Sequence, residues 1–214
     1  MPPGSSQQYF SRQPSVAPRP GQVRLALPDV TATLAVDRGV FSGGRVDPGT
    51  VALLRAVTDV PAGGDVLDLG CGYGPIAVAL ATRAPGATVW AVDVNTRAVD
   101  LTRRNAASLG LGNVRAMTPE EVPEDVTFAQ LWSNPPIRIG KDPLHELLLR
   151  WLPRLAPGGQ AWLVVHHHLG GDSLARWLGD QGWAVVRHGS KQGYRILGVS
   201  RRGAADVAGS DGDR

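Results

Sequence analysis

The sequence VLDLGCGYGPIAVALATRA, Val66 to Ala84, carries the strongest indication of the fold. Its first residues form an apolar run typical of a buried strand, and its last residues have the spacing of a helix that begins at Pro75. Three glycines lie between them, Gly70, Gly72 and Gly74. Small residues at this place let backbone amides and a helix N-terminus approach a ligand closely. The stretch therefore predicts a strand, a ligand-binding loop and a helix.

Short apolar runs and helical segments alternate through the rest of the chain. The runs TVWAVDV, FAQLWS and QAWLVVHH are typical of strands that are buried on both faces. Two late strands, AVVRHGS and YRILGVSR, follow the last helical segment. A parallel sheet with helices on both faces buries such strands, so we predict a doubly wound α/β fold.

The domain organisation follows from length and local composition. A chain of 214 residues is long enough for one sizeable domain, which we assign to residues 9–202. Its first part, 9–45, comprises an N-terminal arm and a β-hairpin, because GQVRLAL and VTATLAV alternate apolar and polar residues around a Pro-Asp turn. Residues 1–8 and 203–214 are rich in small and polar residues and are predicted to be disordered tails.

Composition and cysteine content exclude several classes of protein. The single cysteine, Cys71, excludes an internal disulfide, and no apolar run reaches the roughly 18 residues of a membrane span. The first residues, MPPGSSQQYF, lack the basic and then apolar plan of a secretory signal, so we predict a cytoplasmic protein. The formal net charge of +3 permits a polyanionic partner without requiring one.

The three consecutive histidines, His166 to His168, are not predicted to bind a metal ion. Successive side chains of a strand point to opposite faces, so they cannot easily converge on one ion. No cysteine or acidic cluster accompanies them in the sequence, and we predict no metal site.

Two carboxylates accompany the glycine loop. The glycine spacing is G-x-G-x-G, which differs from the G-x-G-x-x-G of pyrophosphate-binding loops. Asp68 stands two residues before the first glycine, where a carboxylate repels a diphosphate and attracts an ammonium group. Asp93 ends the next apolar run, at the sheet edge where acidic residues accept hydrogen bonds from ribose hydroxyls. Together the two residues predict a cofactor with an amino group and a ribose.

A second motif, SNPP, follows the fourth predicted strand of the sheet. Pro135 biases Asn134 toward an extended backbone, and the rings of Pro135 and Pro136 remove two N–H donors. The Asn134 side-chain oxygen and the Pro135 carbonyl then form a rigid pair of acceptors. Two fixed acceptors suit a planar amino group, whose N–H bonds point in different directions. We therefore predict a catalytic segment formed by Asn134, Pro135 and Pro136.

The glycine-loop stretch resembles the first motif of class I methyltransferases that use S-adenosylmethionine, whose second strand also ends in an acidic residue. The resemblance implies a Rossmann-like, mostly parallel, seven-stranded sheet. It also implies that Gly70 and Gly72 hold the methionine part of the cofactor. Asp68 would face the cofactor's amino group, and Asp93 would hold its ribose. The residues implied in cofactor binding are Asp68, Gly70, Cys71, Gly72, Asp93 and Val94.

The SNPP motif indicates which group of class I methyltransferases the chain resembles. N-P-P followed by an aromatic residue resembles the signature of methyltransferases that act on exocyclic amino or amide nitrogens of adenine, guanine or glutamine, but Ile137 stands in the aromatic position here. With DRGVFSGGRVDPGT and GYRIL, the motifs together resemble single-domain relatives of the small-subunit ribosomal RNA guanine-N2 methyltransferases. That resemblance implies methyl transfer to N2 of a guanine, with ribosomal RNA or the small ribosomal subunit as the partner.

Several side chains are candidates for binding that substrate. Arg138 and Lys141 follow the acceptor segment and are placed to neutralise RNA phosphates, although either also suits a solvated surface. Phe41 is a candidate for stacking on the flipped base, and equally a candidate core residue. The predicted substrate-binding residues are Phe41, Ile137, Arg138 and Lys141.

Other functions stay open at this point. A glutamine-N5 or DNA adenine-N6 methyltransferase shares the acceptor geometry, but such enzymes usually carry Tyr or Phe where Ile137 stands. A non-catalytic RNA-binding ribosome-assembly factor would keep the fold without turnover, against which the presence of Asp68, Asp93 and Asn134 argues. The glycine spacing disfavours an NAD-dependent oxidoreductase. The sequence leaves both a monomer and a homodimer open.

Overall fold

In the part of the chain that the structure describes, a seven-stranded sheet flanked by helices follows a two-stranded hairpin. The computed structural model describes residues 17, 19–40, 44–135, 140–166, 170–191 and 193–203. The strands are β1 (Gly21–Ala26), β2 (Thr31–Val36), β3 (Gly64–Leu69), β4 (Ala87–Val92), β5 (Val114–Met117), β6 (Phe128–Ser133), β7 (Leu155–His166), β8 (Trp183–Lys191) and β9 (Tyr194–Arg201). The helices are α1 (Pro48–Ala56), α2 (Pro75–Arg83), α3 (Thr96–Ser108), α4 (Lys141–Trp151) and α5 (Gly171–Asp180). None of these helices is both long enough and apolar enough to cross a membrane.

The strand order in the sheet is β5-β4-β3-β6-β7-β9-β8. The pairs among β3, β4, β5, β6 and β7 are parallel, whereas β9 runs antiparallel to both β7 and β8. The winding of the chain reverses between β3 and β6, which opens a crevice at the carboxyl ends of these two strands. The predicted fold class, with its mostly parallel seven-stranded sheet and N-terminal hairpin, is confirmed.

The helices lie in two layers, one on each face of the sheet. Side chains alternate along β3, so Val66 packs with the hairpin and helices α1, α2 and α3, whereas Leu67 packs with α4 and α5. Trp132 is completely buried in the first of these cores and Trp151 in the second. The sheet is therefore fixed from both sides, and so are the ends of its strands.

Two local features differ from the interpretation of the sequence. Helix α1 has no counterpart in the prediction, although Asp47 caps its N-terminus and Pro48 is its first residue. Residues 156–159, APGG, have the composition of a turn but belong to β7, which pairs with β6 across a register irregularity. Gly159 permits this pairing, because a Cβ there would lie 2.9 Å from the Phe128 carbonyl oxygen.

A buried side-chain amide joins the hairpin to the sheet domain. Asn105 of α3 accepts a hydrogen bond from the Ala35 amide (2.8 Å) and donates one to the Ala35 carbonyl (3.0 Å), as a neighbouring strand would. The same Nδ2 also donates to the carbonyl of Tyr73 in the glycine loop (2.8 Å). One side chain therefore holds the edge of β2 and the glycine loop together.

An ion pair fixes the other end of the hairpin. Arg83, at the end of α2, donates to both carboxylate oxygens of Asp29 in the β1–β2 turn (2.7 and 3.1 Å). Its guanidinium also donates to the carbonyls of Leu54 (2.8 Å) and Val57 (3.1 Å) at the end of α1. The hydrogen bond from Arg83 lowers the pKa of Asp29. The hairpin is thus an integral layer of the fold.

Replacing Asn105 with Ala is expected to lower the free energy of unfolding by about 2 to 4 kcal/mol, because buried backbone groups of Ala35 and Tyr73 lose their partner. Urea unfolding monitored by circular dichroism measures this loss. Ser108→Ala is the control, since it removes a single hydrogen bond within the same helix (2.9 Å) and should cost less than about 1 kcal/mol. Equal losses in the two variants would contradict the role of Asn105.

Candidate active site

The candidate site lies in the crevice between the ends of β3 and β6. The two strands pair in parallel, with Asp68 opposite Trp132. Just beyond this pair, the Ser133 hydroxyl donates a hydrogen bond to the Leu69 carbonyl (2.7 Å). The glycine loop continues from one strand and Asn134 from the other. The two predicted motifs therefore emerge side by side.

The glycine loop is anchored on its inner side and open on its outer side. Gly70, Gly72 and Gly74 have positive φ angles of 77°, 59° and 89°, which residues with a side chain rarely adopt. The amides of Gly70 and Cys71 donate to the carbonyl of Val92 at the end of β4 (2.8 and 3.1 Å). Within the described part of the chain, no atom outside the glycine and its two neighbours lies within 4 Å of the position of a Cβ at Gly70 or Gly72. This surface is suited to a ligand that contacts the backbone.

Asp93 follows β4 directly and is tied to the loop. Its carboxylate accepts hydrogen bonds from the amides of Gly72 (2.9 Å) and Asn95 (2.9 Å). Burial raises the pKa of Asp93, and the two amide donors act against that rise. Each carboxylate oxygen can accept more than one hydrogen bond, so Asp93 can also accept hydrogen bonds from ribose hydroxyls. Its ribose-binding role stays a prediction.

Asp68 is completely buried at the base of the loop. Its Oδ2 accepts a hydrogen bond from the amide of Ala77 in the first turn of α2 (2.9 Å). Its Oδ1 has no hydrogen-bond partner among the described residues. Burial, reinforced by the charge of Asp93, raises the pKa of Asp68 to about 8. A buried carboxyl oxygen that no described residue contacts through a hydrogen bond, next to an open glycine loop, fits the ammonium group of S-adenosylmethionine, whose positive charge would favour the ionised form of Asp68.

The remaining predicted cofactor residues, Cys71 and Val94, flank these carboxylates. Cys71 is buried with its thiol against the Thr102 hydroxyl (3.6 Å), and burial raises the pKa of the thiol well above its usual range. A thiol in this state is not a nucleophile. Val94 is half-buried directly after Asp93. Cofactor contacts of Cys71 and Val94 stay predictions.

Asn134 is held by two side chains at the N-terminus of α1. Its Nδ2 donates hydrogen bonds to Asp47 Oδ1 (2.7 Å) and Thr50 Oγ1 (3.0 Å), while Pro135 is buried beside it. A carboxylate only accepts hydrogen bonds, so this network assigns the amide nitrogen to the Asp47 side and the amide oxygen to the opposite side.

Asp47 and Thr50 are absent from the residues that the sequence predicts for the site. An aspartate before a proline signals the start of a helix, and that signal was available. No local pattern, however, indicates a contact between Asp47 and a residue 87 positions later in the chain.

The predicted substrate side of the site is described only in part. Lys141 is the exposed first residue of α4, just beyond the acceptor segment. The predicted site residues outside the described part of the chain are Phe41, Pro136, Ile137 and Arg138.

The histidine run is likewise described only in part. The ring of His166 contacts that of Tyr194 edge-on, with centroids 5.0 Å apart and planes at 84°. His167 and His168 lie outside the described residues. Among the residues that the structure does describe, no group of three or more metal-binding side chains occurs.

Comparison with known protein families identifies the family of the chain. The sequence profile described as Methyltransferase small domain matches residues 31–197, a range that includes Asp68, Asp93 and Asn134. This chain belongs to the methyltransferase small domain family. The family, the fold class and S-adenosylmethionine as the cofactor, all predicted from the sequence, are thereby confirmed.

The share of a relative's length that aligns with this methyltransferase differs from one relative to the next. The uncharacterized protein YbxB of Bacillus subtilis (strain 168) is 34% identical over 195 residues, which cover 90% of this chain and 97% of YbxB. The ribosomal RNA small subunit methyltransferase C of Pseudomonas aeruginosa (strain LESB58) is 36% identical over 137 residues, 61% of this chain and 40% of that protein. One similar solved structure is that of the T. thermophilus 16S rRNA N2 G1207 methyltransferase (RsmC), in complex with AdoMet and guanosine. Its TM-score is 0.70 and its sequence identity 26%, and the match covers 86% of this chain and 51% of that chain. The methyltransferase thus spans only 40% and 51% of these two longer proteins.

The raised pKa of Asp68 predicts how stability depends on pH. The folded carboxyl titrates at about 8, whereas 3.8 is its ordinary value, so between these pH values the folded state binds more protons than the unfolded state. Stability attributable to Asp68 is therefore lost as the pH rises from about 4 through about 8. Asp68→Asn cannot ionise but still accepts the Ala77 hydrogen bond, and its stability should fall less over this range. Urea unfolding at pH 5.5 and pH 8 compares the two proteins, and equal pH dependence would contradict the assignment.

Proposed function

We propose that this methyltransferase transfers a methyl group to N2 of a guanine in ribosomal RNA. The proposal rests on the orientation of the Asn134 amide. Its Nδ2 is engaged by Asp47 and Thr50, so its Oδ1 is left to accept a hydrogen bond from a substrate. This acceptor follows β6 at the same sheet edge as the glycine loop.

The cofactor would bind along the glycine loop. Asp68 Oδ1 would accept a hydrogen bond from the amino group, the open surface at Gly70 and Gly72 would lie against the methionine part, and Asp93 would bind the ribose. When bound, S-adenosylmethionine supplies an electrophilic methyl carbon, because that carbon is attached to a positively charged sulfur. The task of the protein is to bring an amino nitrogen to that carbon.

Asn134 and Pro135 would carry out that task. The Asn134 side-chain oxygen and the Pro135 carbonyl would each accept a hydrogen bond from the substrate amino group, which aims the nitrogen lone pair at the methyl carbon. On accepting the methyl group, the nitrogen would become positively charged, while the electron pair of the broken bond would stay with the cofactor. The two acceptors stabilise that charge. The nitrogen then loses one proton to solvent, so no strong general base is needed.

The relatives and the residues after Pro135 favour guanine in RNA as the acceptor. The methyltransferase C relatives are named for small-subunit ribosomal RNA, and the T. thermophilus structure contains guanosine. Arg138 and Lys141 would neutralise phosphates next to the base, and Phe41 would offer it an apolar surface. A ribosomal substrate would place the enzyme in the cytoplasm.

Methylation of candidate acceptors tests the substrate. The purified protein is incubated with tritiated S-adenosylmethionine and, separately, with small ribosomal subunits, naked ribosomal RNA, DNA and a protein that carries exposed glutamines. Digestion and chromatography then identify the labelled product. Label in N2-methylguanosine is expected. Label in N6-methyladenine of DNA or in methylglutamine would replace the proposal by one of those activities, and RNA binding without any label would indicate a non-catalytic factor.

Replacing Asn134 with Ala is expected to slow methyl transfer at least about 100-fold, because the acceptor that orients the amine and stabilises its charge is lost. The dissociation constant of S-adenosylmethionine, measured by calorimetry, should change less than about threefold, since the cofactor residues are elsewhere. Asn113→Ala is the control, because Asn113 donates to three carbonyls remote from the crevice, those of Ala81, Ala84 and Ala87. Unchanged turnover in Asn134→Ala would refute the role of the amide.

A further inference from the structure

The side chain that caps helix α1 also holds the Asn134 amide. Asp47 Oδ1 accepts hydrogen bonds from the amides of Gly49 (2.8 Å) and Thr50 (3.2 Å), and from Asn134 Nδ2 (2.7 Å). One carboxylate oxygen therefore serves two backbone donors and one side-chain donor. Thr50, which is only 4% exposed, receives the second contact of the amide nitrogen at 3.0 Å.

The N-terminus of α1 has little freedom to move. A Cβ added at Gly49 would lie 2.7 Å from the Tyr194 ring and 2.9 Å from Asp47 Oδ1, so only glycine permits this approach to β9. On the other side, the charge of Asp47 adds to the effect of burial in raising the pKa of Tyr73 in the glycine loop. The Asp47 carboxylate thus lies in a fixed place between β9, the glycine loop and Asn134.

We propose that Asp47, assisted by Thr50, is a positioning residue for methyl transfer. It fixes the Asn134 amide with the oxygen directed to the acceptor amine and strengthens that oxygen as a hydrogen-bond acceptor. This inference deepens the proposed function and rests on the role assigned there to Asn134.

The physical reason is that the two ends of an amide have opposite hydrogen-bonding character. If the Asn134 amide turned by half a rotation, it would direct its N–H groups at the substrate amine, and donor would face donor. A carboxylate prevents this rotation because it accepts hydrogen bonds and cannot donate them. Its negative charge also polarises the amide and increases electron density on Oδ1, where the developing positive charge of the amine is stabilised.

Asp47→Ser separates positioning from helix capping. Serine caps helix N-termini about as well as aspartate, but its hydroxyl is one bond shorter and should not reach Asn134. We expect the variant to fold and to bind S-adenosylmethionine as the wild type does, while its single-turnover rate at saturating acceptor RNA falls about 10- to 100-fold. A wild-type rate in this variant would overturn the proposal.

A threonine pair supplies a matched comparison. Thr50→Val keeps the shape of the side chain but removes the acceptor, and its single-turnover rate should fall about 10-fold. Thr82→Val on α2 removes a hydroxyl that donates within its own helix, to the Val78 carbonyl (2.8 Å), and its rate should be unchanged. Equal rates in the two variants would contradict the part played by Thr50.

A double-mutant cycle tests whether Asp47 acts through Asn134. If it does, adding Asp47→Ser to Asn134→Ala should slow transfer no further, because the amide to be positioned is already absent. If Asp47 only supports the fold, Asp47→Ser should reduce the rate by the same factor in both backgrounds. That second result would overturn the proposal.

Nuclear magnetic resonance of the Asn134 side-chain amide tests the positioning role without any methyl acceptor. The side-chain amide signals of Asn134 in ¹⁵N–¹H spectra are identified by their disappearance in Asn134→Ala. They should exchange slowly with solvent in the wild type and should shift and exchange faster in Asp47→Ser. Unchanged signals would overturn the positioning role. If the signals change as expected but the wild type methylates no guanine, the positioning role stands and the proposed substrate fails.

Discussion

The parallel pairing of β3 with β6 is the constraint on which the rest of the site depends. The winding of the chain reverses at this pair, so the ends of the two strands border one crevice. The hydrogen bond from Ser133 to the Leu69 carbonyl closes the pair at this end. Because both faces of the sheet are buried, a slip of one residue would turn Asp68 and Trp132 to the wrong faces. Burial of the sheet therefore keeps the glycine loop beside Asn134.

The hairpin and α1 complete this site, although they precede the sheet in the chain. Asn105 binds the backbone of Ala35, 70 residues away, and also holds the glycine loop. Asp47 binds Asn134, 87 residues away, while it caps its own helix. The same N-terminal region therefore supports the loop that would hold the cofactor and the amide that would hold the acceptor. In this fold, stability and the geometry of the site depend on shared contacts.

Local patterns were sufficient to predict the sheet, the hairpin, the glycine loop and the position of Asp93 after its strand. These features depend on residues that are close in the sequence, such as an apolar run followed by glycines and then by Pro75. Helix α1 was not predicted because it follows glycine-rich sequence that has the composition of a loop. The APGG segment has the composition of a turn, yet it lies within β7 at the register irregularity of the β6–β7 pair.

Residue types at short spacing were enough to predict the fold class, the family and the cofactor, and they also predict that the N-P-P segment accepts hydrogen bonds. The orientation of the Asn134 amide, with its nitrogen toward the N-terminus of α1, comes from the tertiary structure alone. That orientation is set by Asp47 and Thr50, which no pattern links to Asn134. The same holds for the buried Oδ1 of Asp68, which has no hydrogen-bond partner in the described part of the chain, since burial and hydrogen bonding depend on how distant segments pack.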